Sequence, residues 1–272
     1  GVGNEQKMFG QSRIHSRVQY VGRAGLGKLV NRATSKLNDD SKGIDMRVVR
    51  RIALVFVALL VGLWATARVL IAGLPNEALG TFAEVSGERV HFVDEGQGSP
   101  ILMIHGASGN LGDMELRLAP ALRAAGHRVI TIDRPGLGLS SRNDPGLQEI
   151  AAQADLVVAL MDELGVDAPT VVGHSLGGAV SLAMAVHHPD RVGGLVDLSG
   201  VSHAWNGDVW WPYALAGMPV VGWYFCNALM PVVGLALYDA SVDSTFTPEP
   251  AIADYSALTQ TTMVMRPQTF CH

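Results

Sequence analysis

The chain has 272 residues, of which 48% are apolar, and a net charge of −5. That length accommodates one large domain or two small ones. The charge is uneven, with +7 in residues 1–51 and −12 in the remainder. Because the basic residues are concentrated ahead of the folded part, we predict no nucleic-acid binding by the domain. The two cysteines, Cys226 and Cys271, form no recognisable disulfide framework or metal site and do not identify a redox compartment.

Residues 1–45 differ in composition from everything that follows. All four lysines of the chain lie in its first 42 residues. We predict a basic, disordered leader here. The first residue is glycine and Met46 is a natural start, so our hypothesis is that the leader is an upstream extension.

Residues 46–75 contain a long apolar stretch. Residues 52–74 are apolar apart from Thr66 and Arg68, which is long enough to cross a bilayer. Basic residues at 47, 50 and 51 precede it, so the positive-inside rule puts the N-terminus in the cytoplasm and the following domain outside. We predict a single-pass membrane protein with an extracytoplasmic (periplasmic or extracellular) domain. A signal peptide cleaved near residues 65–67 is an alternative with the same outcome for the domain, and a buried soluble helix is a third.

Residues 76–200 alternate between strand-like and helix-like patterns. A hairpin is predicted over 81–93, strands over 101–104, 127–132, 168–172 and 194–198, and helices over 111–125, 147–164 and 176–188. Such alternation is typical of an α/β fold with a mostly parallel sheet and helices on both faces. We therefore predict this fold class, preceded by a transmembrane helix.

Residues 201–272 break that rhythm. The segment contains four of the five tryptophans, and 212–238 has no charged residue. By length it qualifies as a second membrane span. Pro219, Gly222, Asn227 and Pro231 are expected to divide it into short helices, so we favour a partial helical cap over an apolar pocket.

The motif Gly173-His174-Ser175-Leu176-Gly177 matches G-x-S-x-G. It lies between a predicted buried strand and a predicted helix. A serine on so tight a turn has its Oγ exposed above the sheet. Gly173 and Gly177 are required because side chains there would collide with the neighbouring strand and helix.

Two more motifs follow predicted strands, 105–109 (His-Gly-Ala-Ser-Gly) and 133–140 (Asp-Arg-Pro-Gly-Leu-Gly-Leu-Ser). With the serine motif they resemble the serine hydrolases of the α/β-hydrolase fold family, over roughly residues 79–200 and more weakly to 272. All three motifs lie at the carboxyl ends of strands, where open α/β sheets place their sites.

The resemblance implies Ser175 as nucleophile, attacking an ester or similar acyl group. The backbone N–H groups of Ala107 and Leu176 would form the oxyanion hole. His105 and His174 would be structural loop histidines, with Gly106 allowing close backbone approach. Family dehalogenases and epoxide hydrolases use Asp at this position, so a serine argues against both. Asp133 is expected to order its Pro-Gly turn, and His203 and Trp205 are possible pocket residues.

The resemblance also implies an acid and then a histidine base after the serine, and neither is recognisable here. We interpret the chain as C-terminally truncated and expect it to be inactive as it stands. The leading prediction is a membrane-anchored carboxylesterase- or lipase-like hydrolase for a small apolar ester, with no cofactor and no metal. Alternatives are a C–C hydrolase or perhydrolase of the same family and a non-catalytic protein that binds a hydrophobic ligand or partner.

Overall fold

The computed structural model describes residues 45–203 and 211–271, together with positions 27, 28, 31, 32 and 35. Two compact units are found, Gly1–Val57 and Ala58–His272. The boundary falls within helix α1, Met46–Ala72. The predicted division at 45, 75 and 200 stays a prediction.

Helix α1 is long and apolar. Its 27 residues correspond to about 40 Å at 1.5 Å per residue. In the part of α1 that belongs to the second unit, one narrow stripe is shielded from solvent and most of the remaining surface is exposed. The stripe consists of Leu60, Leu63, Ala67 and Ile71, which recur at helical spacing. The phenol of Tyr224 donates a hydrogen bond to the Leu60 carbonyl at 2.8 Å. Met46–Ala72 and Val221–Phe246 are both long and apolar enough to cross a membrane.

A six-stranded sheet forms the centre of the second unit. Its strands are β1 (Thr81–Val85), β2 (Glu88–Glu95), β3 (Pro100–Ile104), β4 (Arg128–Ile132), β5 (Thr170–His174) and β6 (Gly194–Leu198), in the order β1-β2-β4-β3-β5-β6. β1 and β2 are antiparallel, β2 runs antiparallel to β4, and β4, β3, β5 and β6 are mutually parallel. The predicted hairpin turns at Ser86 and Gly87, both with positive φ, as the right-handed twist of hairpin strands favours.

Helices cover both faces of the sheet. These are α2 (Leu111–Glu115), α3 (Leu118–Ala124), α4 (Ile150–Glu163) and α5 (Leu176–His187). Along β3, Leu102 and Ile104 pack into the core shared with α4 and α5, whereas Ile101 and Met103 pack with residues of α2 and α3. Successive residues of a strand point to opposite faces, so a fully apolar β3 requires helices on each side. The predicted α/β class with a mostly parallel sheet is thus confirmed.

Strand β6 lies at one edge of the described sheet. Leu195 and Val196 are 38% and 42% exposed. The last parallel strand therefore presents apolar side chains to the surface in this part of the chain.

The segment after residue 210 is helical. It contains α6 (Trp211–Ala216), α7 (Val221–Tyr224), a π-helical turn (Phe225–Leu229), α8 (Met230–Phe246), α9 (Tyr255–Thr259) and α10 (Pro267–Phe270). Pro219 lies between α6 and α7 and separates them, as expected. Gly222, Asn227 and Pro231 do not end the helix, which continues through the π turn from Val221 to Phe246. The π turn lies immediately before Pro231 and changes the hydrogen-bond register, which accommodates a residue without an N–H.

Cys226 and Cys271 form a disulfide across a sequence separation of 45 residues. Phe225 and Phe270 lie beside it in a small buried cluster. The disulfide therefore joins the π turn to the last described residues. Two cysteines so far apart carried no pattern from which their pairing could be predicted.

Candidate active site

Ser175 occupies the turn between β5 and α5. Its φ is 51° and its ψ is −119°, a region that non-glycine residues rarely enter. Three backbone hydrogen bonds of 3.0 Å hold it there: its N–H donates to Leu198, and its carbonyl accepts from Gly178 and Val201. The side chain is half-buried. The sharp strand-to-helix turn predicted from the motif is therefore present.

The glycines around Ser175 are needed for close packing. A Cβ on Gly173 would overlap the Ser181 hydroxyl, and one on Gly177 would overlap the Ile104 carbonyl. A Cβ on Gly106 would lie 2.9 Å from that of Ser175. The loop after β3 thus runs directly beside the serine.

The peptide unit between Gly106 and Ala107 has a defined orientation. The Gly106 carbonyl accepts a hydrogen bond from His105 Nδ1 at 2.8 Å and one from Arg134 Nη1 at 3.2 Å. In a trans peptide the next N–H points the opposite way. The Ala107 N–H is therefore turned away from these donors.

Two backbone donors remain available near Ser175. In the described chain neither the Ala107 N–H nor the Leu176 N–H forms a hydrogen bond. Leu176 begins α5, where unpaired N–H groups carry partial positive charge. Both residues line one cavity of about 450 Å³. This arrangement has the chemistry of an oxyanion site.

His105 is fully buried at the end of β3. Its Nε2 accepts a hydrogen bond from the Arg134 N–H at 3.0 Å, which leaves Nδ1 as the donor to Gly106. Burial, followed by the Arg134 charge, lowers the pKa of His105 to about 4. With both ring nitrogens occupied, His105 shapes the loop and is not available as a base.

The other histidines of the sequence prediction lie elsewhere. His174 is exposed at the end of β5. His203 is also exposed, with Nδ1 at 2.8 Å from the Ser202 hydroxyl, and is not among the residues that line the cavity. Trp205 lies outside the described residues. The pocket roles of His203 and Trp205 stay predictions.

A buried His91–Asp133 pair could be mistaken for catalytic groups. His91 Nδ1 lies 2.7 Å from Asp133 Oδ2, and its Nε2 accepts from the Gly80 N–H. Asp133 also accepts from the N–H groups of Leu111 and Leu139. All polar atoms of the pair are occupied, so Asp133 orders its turn, as predicted, and His91 braces it.

No described histidine forms a hydrogen bond with the Ser175 hydroxyl. Nor do three His, Cys, Asp or Glu side chains of the described ranges come together as a metal site. The described residues thus place Ser175 near two unpaired backbone donors, with no described histidine hydrogen-bonded to its hydroxyl.

The cavity wall includes residues that sequence reasoning missed. Tyr213, Val264, Thr269 and Phe270 come from the C-terminal helical segment, and Arg134, Arg142, Gln148 and Gln153 come from the sheet side. Tyr213 stacks on Phe270 at 5.2 Å, and its hydroxyl lies 3.4 Å from that of Ser108. These residues follow no common motif, because distant segments bring them together.

A model of the alpha/beta hydrolase fold matches residues 99–251. The chain is 41% identical over 112 residues to the dihydrolipoyllysine-residue acetyltransferase component of the acetoin cleaving system of Cupriavidus necator, covering 41% of this chain and 29% of that protein. It is 36% identical over 115 residues to a 2-hydroxy-6-oxo-6-phenylhexa-2,4-dienoate hydrolase of Burkholderia cepacia, covering 41% and 40%. The matched region is thus less than half of either relative.

Among solved structures, an alpha/beta hydrolase fold protein from Burkholderia ambifaria is similar with a TM-score of 0.53 and 22% identity. The similarity covers 72% of this chain and 73% of that one. At this identity the likeness concerns the fold alone.

Proposed function

Because the chain belongs to the α/β hydrolase fold family, we propose that it is a serine hydrolase acting on carboxylic esters or similar acyl substrates through Ser175. One observation carries the proposal: Ser175 has a strained φ of 51° beside the unpaired N–H groups of Ala107 and Leu176. A serine on a sharp strand-to-helix turn, near two free backbone donors, is arranged for acyl transfer.

In the proposed reaction Ser175 Oγ bonds to the substrate's carbonyl carbon. The C=O π electrons move onto the oxygen, which the Ala107 and Leu176 N–H groups stabilise. The Oγ proton passes to a general base, which returns it to the leaving alkoxide as the intermediate collapses, so that the alcohol departs and the acyl group stays on Ser175. Water, deprotonated by the same base, then cleaves this acyl ester, which releases the acid and regenerates Ser175. Hydrogen bonds from His105 and Arg134 fix the orientation of the Gly106 carbonyl. Because the peptide unit is planar, they also fix the direction of the Ala107 N–H before substrate arrives.

A C–C hydrolase is the second candidate. Its support is the 36% identity over 115 residues to the dienoate hydrolase of Burkholderia cepacia. Turnover of that relative's named substrate, compared with turnover of p-nitrophenyl butyrate by the same preparation, would separate the two activities. The ester hydrolase proposal expects the larger kcat/KM for the ester.

For location we propose a single-pass membrane anchor with the hydrolase domain outside the cytoplasm. The support is the apolar helix Met46–Ala72 together with Arg47, Arg50 and Arg51 at its N-terminal end. The Cys226–Cys271 disulfide is compatible with an oxidising compartment, where such bonds persist.

The nucleophile is tested with a fluorophosphonate probe on the natural gene product, followed by mass spectrometry of the labelled peptide. We expect the label on Ser175 and its loss in Ser175→Ala. Ser241→Ala, which removes an exposed hydroxyl on α8, is the matched control and should label normally. Labelling that persists in Ser175→Ala, or no labelling of the unaltered protein, would contradict the proposal and favour a non-catalytic binding protein.

A further inference from the structure

Arg134 is a buried cation without an acidic partner. It is 4% exposed and lines the same cavity as Ala107 and Leu176, the two neighbours of the Ser175 turn whose N–H groups are unpaired. Its Nε donates to the Gln153 side-chain oxygen at 3.0 Å and its Nη1 to the Gly106 carbonyl at 3.2 Å. Both acceptors are neutral, and Nη2 has no partner in the described chain. One face of this guanidinium therefore remains available to the cavity.

Arg142 is a second cation in the same wall. Its guanidinium lies against the backbone of Gly136, and its Nη2 is buried with no hydrogen-bond partner in the described chain. Burial lowers the pKa of Arg142, and the negative charge of Glu88 opposes that lowering without forming an ion pair with Arg142. Glu88 already accepts from the Ser141 hydroxyl and from the N–H groups of Asn143 and Asp144.

No acidic side chain of the described residues forms an ion pair with either arginine, and the Glu88 charge offsets that of Arg142 only in part. No acidic side chain of the described residues lines the cavity. A neighbouring cavity of about 370 Å³ shares Arg142 and adds Arg89 and Arg266, again without an acid from the described ranges. Burial, and then the Arg142 charge, lowers the pKa of Arg134 to about 10, so the two cations repel each other.

Buried charges of one sign are costly unless an opposite charge pairs with them. Guanidinium groups bind carboxylates through two parallel hydrogen bonds. Arg134 also braces the Gly106 carbonyl, and Gly106 lies next to Ser175. An anion bound here would therefore share one cavity with the Ala107 and Leu176 donors.

We propose that Arg134 and Arg142 form an anion subsite of the active site, and that the substrate is a short acyl compound carrying a carboxylate, such as a half-ester of a dicarboxylic acid. This assignment of substrate class rests on the proposed function of Ser175. The carboxylate lies between the two guanidinium groups, and the ester carbonyl faces Ala107 and Leu176. The subsite departs from the purely apolar substrate expected from the sequence.

The subsite is tested by calorimetric binding to the Ser175→Ala protein, which holds ligand without turning it over. Monomethyl glutarate and dimethyl glutarate form the matched pair, since they differ mainly in the negative charge. We expect the half-ester to bind at least tenfold more tightly, as charge-assisted hydrogen bonds require. The preference should shrink as NaCl is raised, because salt screens the charge.

Arg142→Gln should remove most of the preference, and Arg142→Lys should retain part of it. Arg117→Gln, which removes an exposed arginine outside the cavity, is the control and should keep the full preference. Circular dichroism melts verify that each variant is folded. Equal binding of both esters, no binding of either, or an equal loss of both in Arg142→Gln would overturn the subsite. Failure of fluorophosphonate labelling would instead remove the proposed function and leave this binding result unaffected.

Discussion

The backbone of Ser175 has a positive φ, although the residue carries a Cβ. Such a conformation costs a non-glycine residue about 1–3 kcal/mol. Hydrogen bonds to Leu198, Gly178 and Val201 maintain it. The Ser175 hydroxyl is thus presented at the expense of local stability, as is common for strained residues at functional sites.

Replacing Ser175 by glycine should therefore stabilise the protein. Glycine adopts positive φ without steric cost, so we expect Ser175→Gly to unfold at higher temperature than Ser175→Ala, with a gain of about 1 kcal/mol. Thermal melts of both variants followed by circular dichroism measure this. Equal melting temperatures would show that the elbow is not strained.

The buried His105 makes stability depend on pH. Its pKa is about 4 in the fold and 6.5 as the reference value, so the unfolded state binds more protons between these values. Stability is therefore present above pH 6.5 and falls as pH drops toward 4, by about 3 kcal/mol for this group.

Urea unfolding at pH 7, 5.5 and 4.5 tests the dependence, with His105→Gln as the comparison. The variant should be less stable at pH 7 but lose less stability on acidification. Asp113 has a raised pKa, chiefly through burial, and acts with the opposite sign in both proteins, so it cancels in the difference. Parallel pH profiles would exclude His105 as the source.

At the scale of elements, the C-terminal helical segment forms one side of the cavity. Tyr213 and Phe270 stack there, and the Cys226–Cys271 disulfide ties the last residues to the π turn. Helices this short have little stability of their own. The disulfide is thus the covalent constraint on this wall.

Removing the disulfide should loosen that wall. Closing a loop of 45 residues lowers the entropy of the unfolded chain by an amount worth up to about 4 kcal/mol. We expect Cys226→Ser with Cys271→Ser to melt at lower temperature and to bind cavity ligands more weakly. A reducing agent should reproduce both effects in the unaltered protein and have none on the double variant. Unchanged melting after reduction would contradict this.

At the scale of the whole molecule, Met46–Ala72 and Val221–Phe246 both have the length and apolar character of a membrane span. Their surroundings differ. Within the second unit only a narrow stripe of α1 is shielded from solvent, whereas the later segment, although mostly exposed as well, buries Phe225, Cys226, Ala228 and Tyr238. We infer that α1 is the anchor and that Val221–Phe246 belongs to the folded domain.

A single anchor predicts that the protein stays in the membrane pellet after alkaline carbonate extraction. A C-terminal periplasmic reporter should be active and a cytoplasmic one inactive, because one span places the domain outside. Replacing Arg47, Arg50 and Arg51 by glutamate should reduce reporter activity, whereas replacing Arg117 should not. An active cytoplasmic reporter would indicate two spans and contradict the assignment.

Much of the core could be predicted from the sequence, because local pattern and fold agree there. The all-apolar run at 101–104 is typical of a strand covered on both faces, and Ser86-Gly87 suits the observed hairpin. The helix across Pro231 could not be predicted, since the π turn that accommodates the proline depends on packing. Tyr213 and Phe270 were missed for a similar reason, as nothing local links them to Ser175.

The sequence by itself determined the family-type motifs: the serine elbow, the glycines that it needs and the loop that carries Ala107. These are short-range patterns in which a few neighbouring residues define a turn. Only the tertiary structure decided the pairing of Cys226 with Cys271, the occupied ring nitrogens of His105 and the position of Arg134 and Arg142 in one cavity wall that no described acidic side chain lines. Those features depend on burial and on contacts between distant segments, and no local pattern encodes either.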